Sequence, residues 1–360
     1  MRLVPRRPYR GRRAAAVENS ELTVTVLEEG GHIAVMLDKR TNVNPLWTPP
    51  WPSIEPSTFD PREHAPAYGE GAEAKLLSGI MGHNLCLDFF GAPSDDEIEA
   101  GLGVHGEAPV VPYVIESTGE SLSMRAELPV AQLRFERHIS LHGRAVRIEE
   151  TVENLAAADR PIGWTEHATL GPPFLEKGAT EFRASATSSR VLEGAFGVDD
   201  RLRAGANFEW PAAPARDGRS DDLQRFTSEA RSSAYTAHLM DPAKRDAFFL
   251  AWSPRARLAF GYAWRRTDFP WLGIWEENFS RQSPPWNGAT LTRGMEFGVS
   301  PFAESRRAMI DRGTLFGVPT YRWIPAKRRA TVEYWALFAD AAAPPAAIVW
   351  GDATEPRFQL

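Results

Sequence analysis

Residues 121–140 read SLSMRAELPVAQLRFERHIS, and beyond the turn LHGR (141–144) residues 145–153 read AVRIEETVE. From Leu133 to Leu141 four of the five odd positions, Leu133, Phe135, Ile139 and Leu141, are apolar, with Arg137 the exception, and the even positions Arg134, Glu136, His138 and Ser140 are polar. A period of two places alternate side chains on opposite faces of a strand, so one face seeks a core and the other water. Gly143 supplies the turn that lets the two strands pair as a hairpin. The same alternation recurs in LTVTVL (22–27), HIAVML (32–37), RLAFGYAW (257–264), TLTRGMEFGV (290–299) and ATVEYWALF (330–338). These runs are rich in β-branched and aromatic residues, which fit a pleated, half-buried surface. Only DDEIEAG (95–101) and PFAESRRAMID (301–311) read as helices. Many strands, frequent turns and little helix predict an all-β protein, a large antiparallel β-sandwich. No repeat at a propeller or solenoid period is visible, which ranks a bladed fold second.

The chain has 360 residues, 43% hydrophobic and 24% charged, enough to bury a sizeable core. No apolar run reaches the ~18 residues that a membrane-spanning helix requires. Six arginines fall within the first 13 residues, but no apolar stretch follows them as a secretory signal would demand. Residues 1–18 are therefore expected to form a basic, poorly ordered tail, 19–342 the sandwich domain, and 343–360 a C-terminal extension that could add a strand. A net charge of −6, with arginines not interleaved with aromatics, argues against a nucleic-acid arm. The single cysteine, Cys86, excludes an internal disulfide and a thiolate cluster, and its apolar setting reads as a buried, inert thiol. A cytoplasmic protein, monomer or homodimer, is expected. Residues 200–235 are polar, non-periodic and contain Pro and Gly, and read as a long surface loop.

Four stretches mix ionisable groups with aromatics, glycine and proline: GHNLCLDFFG (82–91), GVHGEAPVVPY (103–113), GWTEHATLGPPF (163–174) and FPWLGIWEENFSRQSPPWNG (269–288). They offer His83 and Asp88; His105; Trp164, Glu166 and His167; and Trp275, Glu276, Glu277, Arg281 and Trp286. Sugar rings have apolar faces that stack on aromatic planes, and hydroxyls that need polar partners. Histidine titrates near neutrality, and a glutamate can act as base, so the set can carry acid–base chemistry. Each such residue taken alone is more often structural. No HExxH or HxH spacing suggests a metal, no GxSxG a nucleophilic serine, and no phosphate-binding glycine loop a nucleotide. Glu276 and Glu277 are neighbours on one strand, so they face opposite ways and cannot form a paired-carboxylate glycosidase site.

In order and spacing these stretches resemble the aldose 1-epimerase, or galactose mutarotase-like, family over residues 20–340. The opening ELTVTVLEEGGHIAVMLDKRTNVNPLW leads into Asn44–Trp51. VHGE carries the first histidine, WTEH the second, and FPWLGIWEEN the glutamate. The resemblance implies a supersandwich fold and a cofactor-independent isomerase that interconverts sugar anomers, with a small-molecule carbohydrate as partner. It implies His167 as general acid at the ring oxygen and Glu276 as base at the anomeric hydroxyl. His105, His83, Trp164, Trp275, Trp286 and Arg281 would bind the sugar. The family's binding arginine has no counterpart: its place reads SGIMGHNLCLDFFG, with His83. Its binding aspartate could be Asp217, Asp221 or Asp222. Two other readings remain, a non-catalytic sugar-binding protein and a glycan hydrolase or lyase using the same groove. For an enzyme, His105, His167 and Glu276 must converge, and Glu276 must be free of arginine.

Overall fold

The computed structural model describes residues 8–117, 121–194 and 196–359. Strand accounts for 47% of the chain and helix for 8%, and every strand pair in the two large sheets is antiparallel, which makes this the all-β sandwich the alternation predicts. An eight-stranded sheet contains the opening hairpin, with Leu133–His142 paired to Ala145–Asn154 in unbroken register. Along Leu133–Leu141 every odd residue is buried and every even one only partly so, the signature of a sheet with one face on the core and one in water.

The eleven-stranded sheet is built differently. Its centre runs in the order His83–Asp88, Arg160–Leu170, Leu291–Gly298, Trp271–Asn278, Ser232–Met240, and these strands are buried on both faces almost throughout. One face packs on the eight-stranded sheet through residues such as Leu87, Leu272, Phe297, Phe260, Ile148 and Phe135. The other is roofed by residues from 44–80 and 90–110, on either side of strand His83–Asp88, including helices Pro61–Tyr68 and Ala74–Gly79. This second interface, outside the sandwich core, contains the pocket described below. A strand covered on both sides loses its simple alternation, which is why WTEH, WLGIWEEN and HNLCLD do not read as period-two runs.

The expected helices are present at Asp95–Glu99, opened by a Ser94–Glu97 capping box, and at Arg306–Arg312, capped by Ser305. Three expectations require correction. Residues 1–7 of the predicted tail lie outside the described residues, but residues 8–18 are part of the body. Ala14–Glu18 pairs with Leu22–Leu27 as an added edge strand, with Ala14, Ala15 and Val17 buried. Arg12 is wholly buried and donates to Glu55 Oε2 at 2.8 Å and to the carbonyls of Gly79 (2.8 Å) and Glu29 (2.9 Å). The arginine thus ties the strand to the roof, so part of the basic run is structural. Residues 200–235 are not a bare loop either. They form short strands at Asn207–Glu209, Ala212–Pro214 and Ser220–Asp222, and bury Leu202, Leu223 and Phe226. Finally, in the C-terminal extension residues 343–359 fold into their own hairpin, Ala347–Val349 with Arg357–Gln359, that presses Ile348 and Trp350 onto Leu250 and Trp335.

Candidate functional site

Strand parity sorts the polar residues of the large sheet into two groups. On Arg160–Leu170, Trp164 and Glu166 face the sandwich core, while His167 faces the roof. On Trp271–Asn278, Leu272 and Ile274 face the core and Trp271 and Trp275 the roof. On Leu291–Gly298, Met295 and Phe297 face the core and Glu296 the roof. Register then sets Glu296 directly opposite His167, with Asn84 opposite His167 on the other side.

The result is a pocket of about 230 Å³ between sheet and roof. Its polar floor is His167, Glu296 and His105. His167 Nε2 lies 2.9 Å from Glu296 Oε1, and its Nδ1 lies 2.9 Å from Thr169 Oγ1, so both ring nitrogens are fixed. His105 stands beside it, ring centroids 5.2 Å apart, and stacks on Phe90 at 5.8 Å. His105 occupies a left-handed backbone conformation (φ 68°), held by its N–H donating to Gly91 O and its carbonyl accepting from Leu87 N. Such a backbone is costly for a non-glycine residue and is sustained by its surroundings. Gly106 follows at φ 77°, where a Cβ would collide with the Leu87 carbonyl. Burial holds the His105 imidazole well below its ordinary pKa, with the neighbouring His167 adding to the effect.

Two glycines make room for the carboxylate. A Cβ on Gly294 would collide with Glu296 Oε1, and one on Gly273 with the Tyr235 hydroxyl beside Glu296 Oε2. The walls are aromatic and aliphatic. Trp275 packs edge-on against His167 at 5.8 Å and against Trp286 at 5.9 Å. Trp286 is in turn enclosed by Trp51 and Trp47. At the mouth the Arg281 guanidinium lies 4.6 Å over the Trp286 ring, with Glu277 and Glu73 at 3.6 and 3.9 Å. Four buried polar atoms of lining residues have no partner: His105 Nδ1, Glu296 Oε2, Trp275 Nε1 and Trp286 Nε1. Buried polar atoms are ordinarily paired, so a set of orphans around one cavity points to a polar occupant.

The fold can be set beside solved structures. A provisionally assigned aldose 1-epimerase from Klebsiella pneumoniae superposes with a TM-score of 0.65 at 12% identity, over 92% of this chain and 80% of that one. A galactose mutarotase-like protein from Clostridium acetobutylicum gives 0.61 at 11% identity, over 91% and 96%. A second provisionally assigned aldose 1-epimerase, from Escherichia coli K12, gives 0.60 at 14% identity, over 91% and 98%. The chain has the galactose mutarotase-like fold. No family model matches the sequence, and no curated protein is detectably similar to it. At these identities the likeness is one of fold.

Within this galactose mutarotase-like fold, His105, His167, Trp275, Trp286 and Arg281 of the expected residues line the pocket, and three others do not. Glu276, expected as the base, lies on the opposite strand face from Trp275. Arg201 Nε and Nη2 each donate to it at 3.1 Å, as does Arg293 Nη2, and Ser232 adds its hydroxyl at 3.2 Å. Burial alone would raise the Glu276 carboxyl, but Arg201 and Arg293 outweigh it and leave it below its ordinary value. A carboxylate so held is a structural counter-ion. Adjacent residues cannot face one pocket, so choosing Trp275 excludes Glu276.

His83 and Trp164 also fall on the core face, within a fully buried network. His83 Nε2 meets Glu166 Oε2 at 2.8 Å, and Trp164 Nε1 donates to Glu166 Oε1 and Glu150 Oε2. Arg137 donates to Glu150 and Glu166, and Tyr334 to both. Strand parity thus gives Glu166 structural partners on the core face, whereas Glu277 lies on the other face. Glu277 is on the roof side, accepting from the backbone N–H groups of Ser280 and Arg281 and so shaping the loop that carries Arg281. Of the three aspartates considered, Asp221 pairs with Arg201 away from the pocket, and none lines it.

Glu296 was the residue missed. Its stretch, TLTRGMEFGV, reads as an ordinary alternating strand with Glu296 on what looks like a solvent face. Its signal was the glycine two positions before it, Gly294. Among the described residues, no group of three or more His, Cys, Asp or Glu is placed to hold a metal ion, and no helix is long and apolar enough to cross a membrane.

Proposed function

We propose that the pocket binds a monosaccharide and interconverts its anomers by proton transfer between Glu296 and His167. The observation that carries this reading is the His167–Glu296 pair at 2.9 Å, one carboxylate oxygen holding the imidazole and the other unpaired, inside a pocket walled by tryptophan. A sugar ring packs its apolar face on Trp275, which Trp286 backs. The unpaired Glu296 oxygen takes the proton of the anomeric hydroxyl. As the sugar seats, its ring oxygen replaces Glu296 Oε1 as the acceptor of the His167 Nε2–H and takes that proton, the bond from C1 to that oxygen breaks, and the open aldehyde forms. Rotation about C1–C2 presents the other carbonyl face, and reversing the two transfers closes the other anomer. Atoms and electrons balance without any co-reactant. His105, kept neutral by burial, supplies a hydrogen bond to the ring oxygen or a neighbouring hydroxyl.

The test is anomer exchange across a panel of aldoses, followed by polarimetry. Glu296→Gln keeps the shape and the contact to His167 but removes the base, and should slow exchange by roughly 10²–10⁴-fold with little change in sugar affinity. An E296Q variant as fast as the parent would sink the assignment.

A further inference from the structure

We propose that Tyr235 is a positioning residue for this reaction, its phenol hydroxyl holding the Glu296 carboxylate at the step where His167 lets it go; the inference rests on the reading above and deepens it. Glu296 is held through Oε1, by His167 Nε2 at 2.9 Å, and Oε2 has no hydrogen-bond partner. Anomer exchange takes that one bond away. When the ring oxygen becomes the acceptor of the His167 N–H, a carboxylate only 1% exposed is left without its imidazole. Burial favours the neutral form of a carboxyl group that has no donor, and a base protonated from solvent cannot take the proton of the sugar.

Tyr235 is placed to take over. Gly273 stands directly opposite Glu296 in register, and Tyr235 lies on Ser232–Met240, the next strand beyond it. A Cβ on Gly273 would come within 2.3 Å of Tyr235 Oη and 3.2 Å of Glu296 Oε2, so the two oxygens border one niche that the glycine leaves open. Any side chain there would separate them. The hydroxyl donates over a long 3.4 Å to the Pro301 carbonyl. A phenolic hydrogen turns about its C–O bond, so moving the donation from that carbonyl to Oε2 is a rotation. Burial, with the Glu296 charge adding to it, pushes the phenol well above its ordinary range, so it meets the carboxylate as a donor.

The other groups around Glu296 do not fill this role. Trp275 turns the Cε3 edge of its ring, on the far side from its N–H, toward the space that Gly294 leaves beside Oε1. Cys86 is a buried thiol, a weak donor, and His105 serves the sugar. At the mouth Arg281 is shared between Glu277 and Glu73. Glu304, the further acid that acts on the Tyr235 hydroxyl, is paired with Arg312. Tyr235 keeps its own proton throughout and acts through Glu296 alone.

Tyr235→Phe keeps the ring and removes the hydroxyl. Anomer exchange by the full-length parent and by Y235F is followed across about pH 4–9, at limiting and at saturating sugar. The profile of kcat reports the sugar-bound protein and that of kcat/KM the free one. Losing a donor to a charged group should move the acid limb of kcat up by about 1–2 pH units, with the rate regained above it. The acid limb of kcat/KM should stay in place, because in the free protein His167 still holds Glu296. A side chain that only packs moves neither limb, so an unmoved kcat limb overturns the inference, as do two limbs that move together. A second measurement needs no sugar. His167→Leu removes the imidazole outright, and in protein labelled with carbon-13 at the glutamate carboxyls the Glu296 signal is the one missing from E296Q. Its titration midpoint in H167L/Y235F should lie about 1–2 pH units above that in H167L, and equal midpoints would overturn the inference. That shift in a protein whose parent exchanges no anomers would leave the role of Tyr235 standing and refute the catalytic reading. Exchange by the parent with no shift in either experiment would do the reverse.

Discussion

Glu276→Gln and Glu296→Gln make the same chemical change on two neighbouring strands of one sheet, and the structure assigns them opposite consequences. Glu276 lies between Arg201 and Arg293, with 1% of its side chain exposed; Arg293 is fully buried and Arg201 nearly so. In the Gln variant Arg201 retains Asp221, but Arg293 loses its carboxylate partner and keeps a hydrogen bond to the Leu223 carbonyl and its stacking on Phe182 and Phe226. Removing one partner of a buried ion pair costs about 3–5 kcal/mol, because the remaining charge stays desolvated. With an unfolding entropy of about 2.1 cal/mol/K per residue over 360 residues, that loss lowers Tm by about 4–7 °C. Glu296→Gln removes a charge whose second oxygen is unpaired and keeps the contact to His167, so its Tm should stay within about 2 °C of the parent. Calorimetry and polarimetry on the same two preparations give four numbers. E276Q should lose stability and keep anomer exchange within about threefold per folded molecule; E296Q should keep stability and lose exchange by roughly 10²–10⁴-fold. An E276Q variant that melts like the parent yet exchanges no anomers would refute the strand-parity argument and return Glu276 to the site.

Three further outcomes follow from the packing. Deleting residues 8–16 removes most of the edge strand and the buried Arg12, leaving Glu55 unpaired on the roof side, so the urea midpoint should fall clearly; an unchanged midpoint would show that the strand is dispensable. Trp286→Ala should lower stability by about 3–5 kcal/mol as well as weaken sugar binding, because only 2% of Trp286 is exposed and three tryptophans pack on it. Denaturant titration separates this from a purely exposed stacking platform, which would lose affinity alone. Stability should also fall as pH drops below about 6.5. Burial holds His32 and His238 near pKa 3 and lowers His83 and His105, so the unfolded chain binds more protons than the native one between pH 3 and 6.5. Glu150, pushed up to about 8 by burial, acts in the opposite sense, as native protonation there favours the fold at lower pH. Asp88, Asp268 and Glu277, also raised by burial, act in the same sense as Glu150, and the four histidines set the net sign, a loss of stability toward acid; a melting temperature flat from pH 7 to 5 would contradict this.

The fold was legible because one of its sheets is ordinary. Leu133–His142 and Ala145–Asn154 lie in the eight-stranded sheet with one face in water, and there a period of two translates directly into buried and exposed. The roof was not legible. Helix Pro61–Tyr68 carries an internal proline, Pro66, and helix Ala74–Gly79 has six residues and no side-chain cap, so neither offers a periodic stretch long enough to recognise. Yet this roof converts a sheet surface into a pocket, and it decides which polar residues become functional candidates and which become core.

That decision explains the pattern of hits and misses at the site. His105, His167, Trp275, Trp286 and Arg281 could be picked out by residue type, because imidazole and indole near glycine and proline are unusual on a plain strand. Glu276 could not be excluded by residue type, only by parity: once Trp275 and His167 face the roof, Glu276, Trp164 and Glu166 must face the core. Parity within a strand is readable from sequence, but relative parity between strands depends on register, which is a long-range property. Register sets Glu296 opposite His167 across 129 residues of chain. Nothing local to TLTRGMEFGV announces that contact. A carboxylate on the core face of such a sheet survives only with arginines around it, as Glu276 has with Arg201 and Arg293, and Glu150 and Glu166 have with Arg137. Glu296 is the buried carboxylate of the central strands whose charged partner is a histidine and whose second oxygen is unpaired. A buried carboxylate in that condition is expensive to keep, and a substrate proton is what would satisfy it.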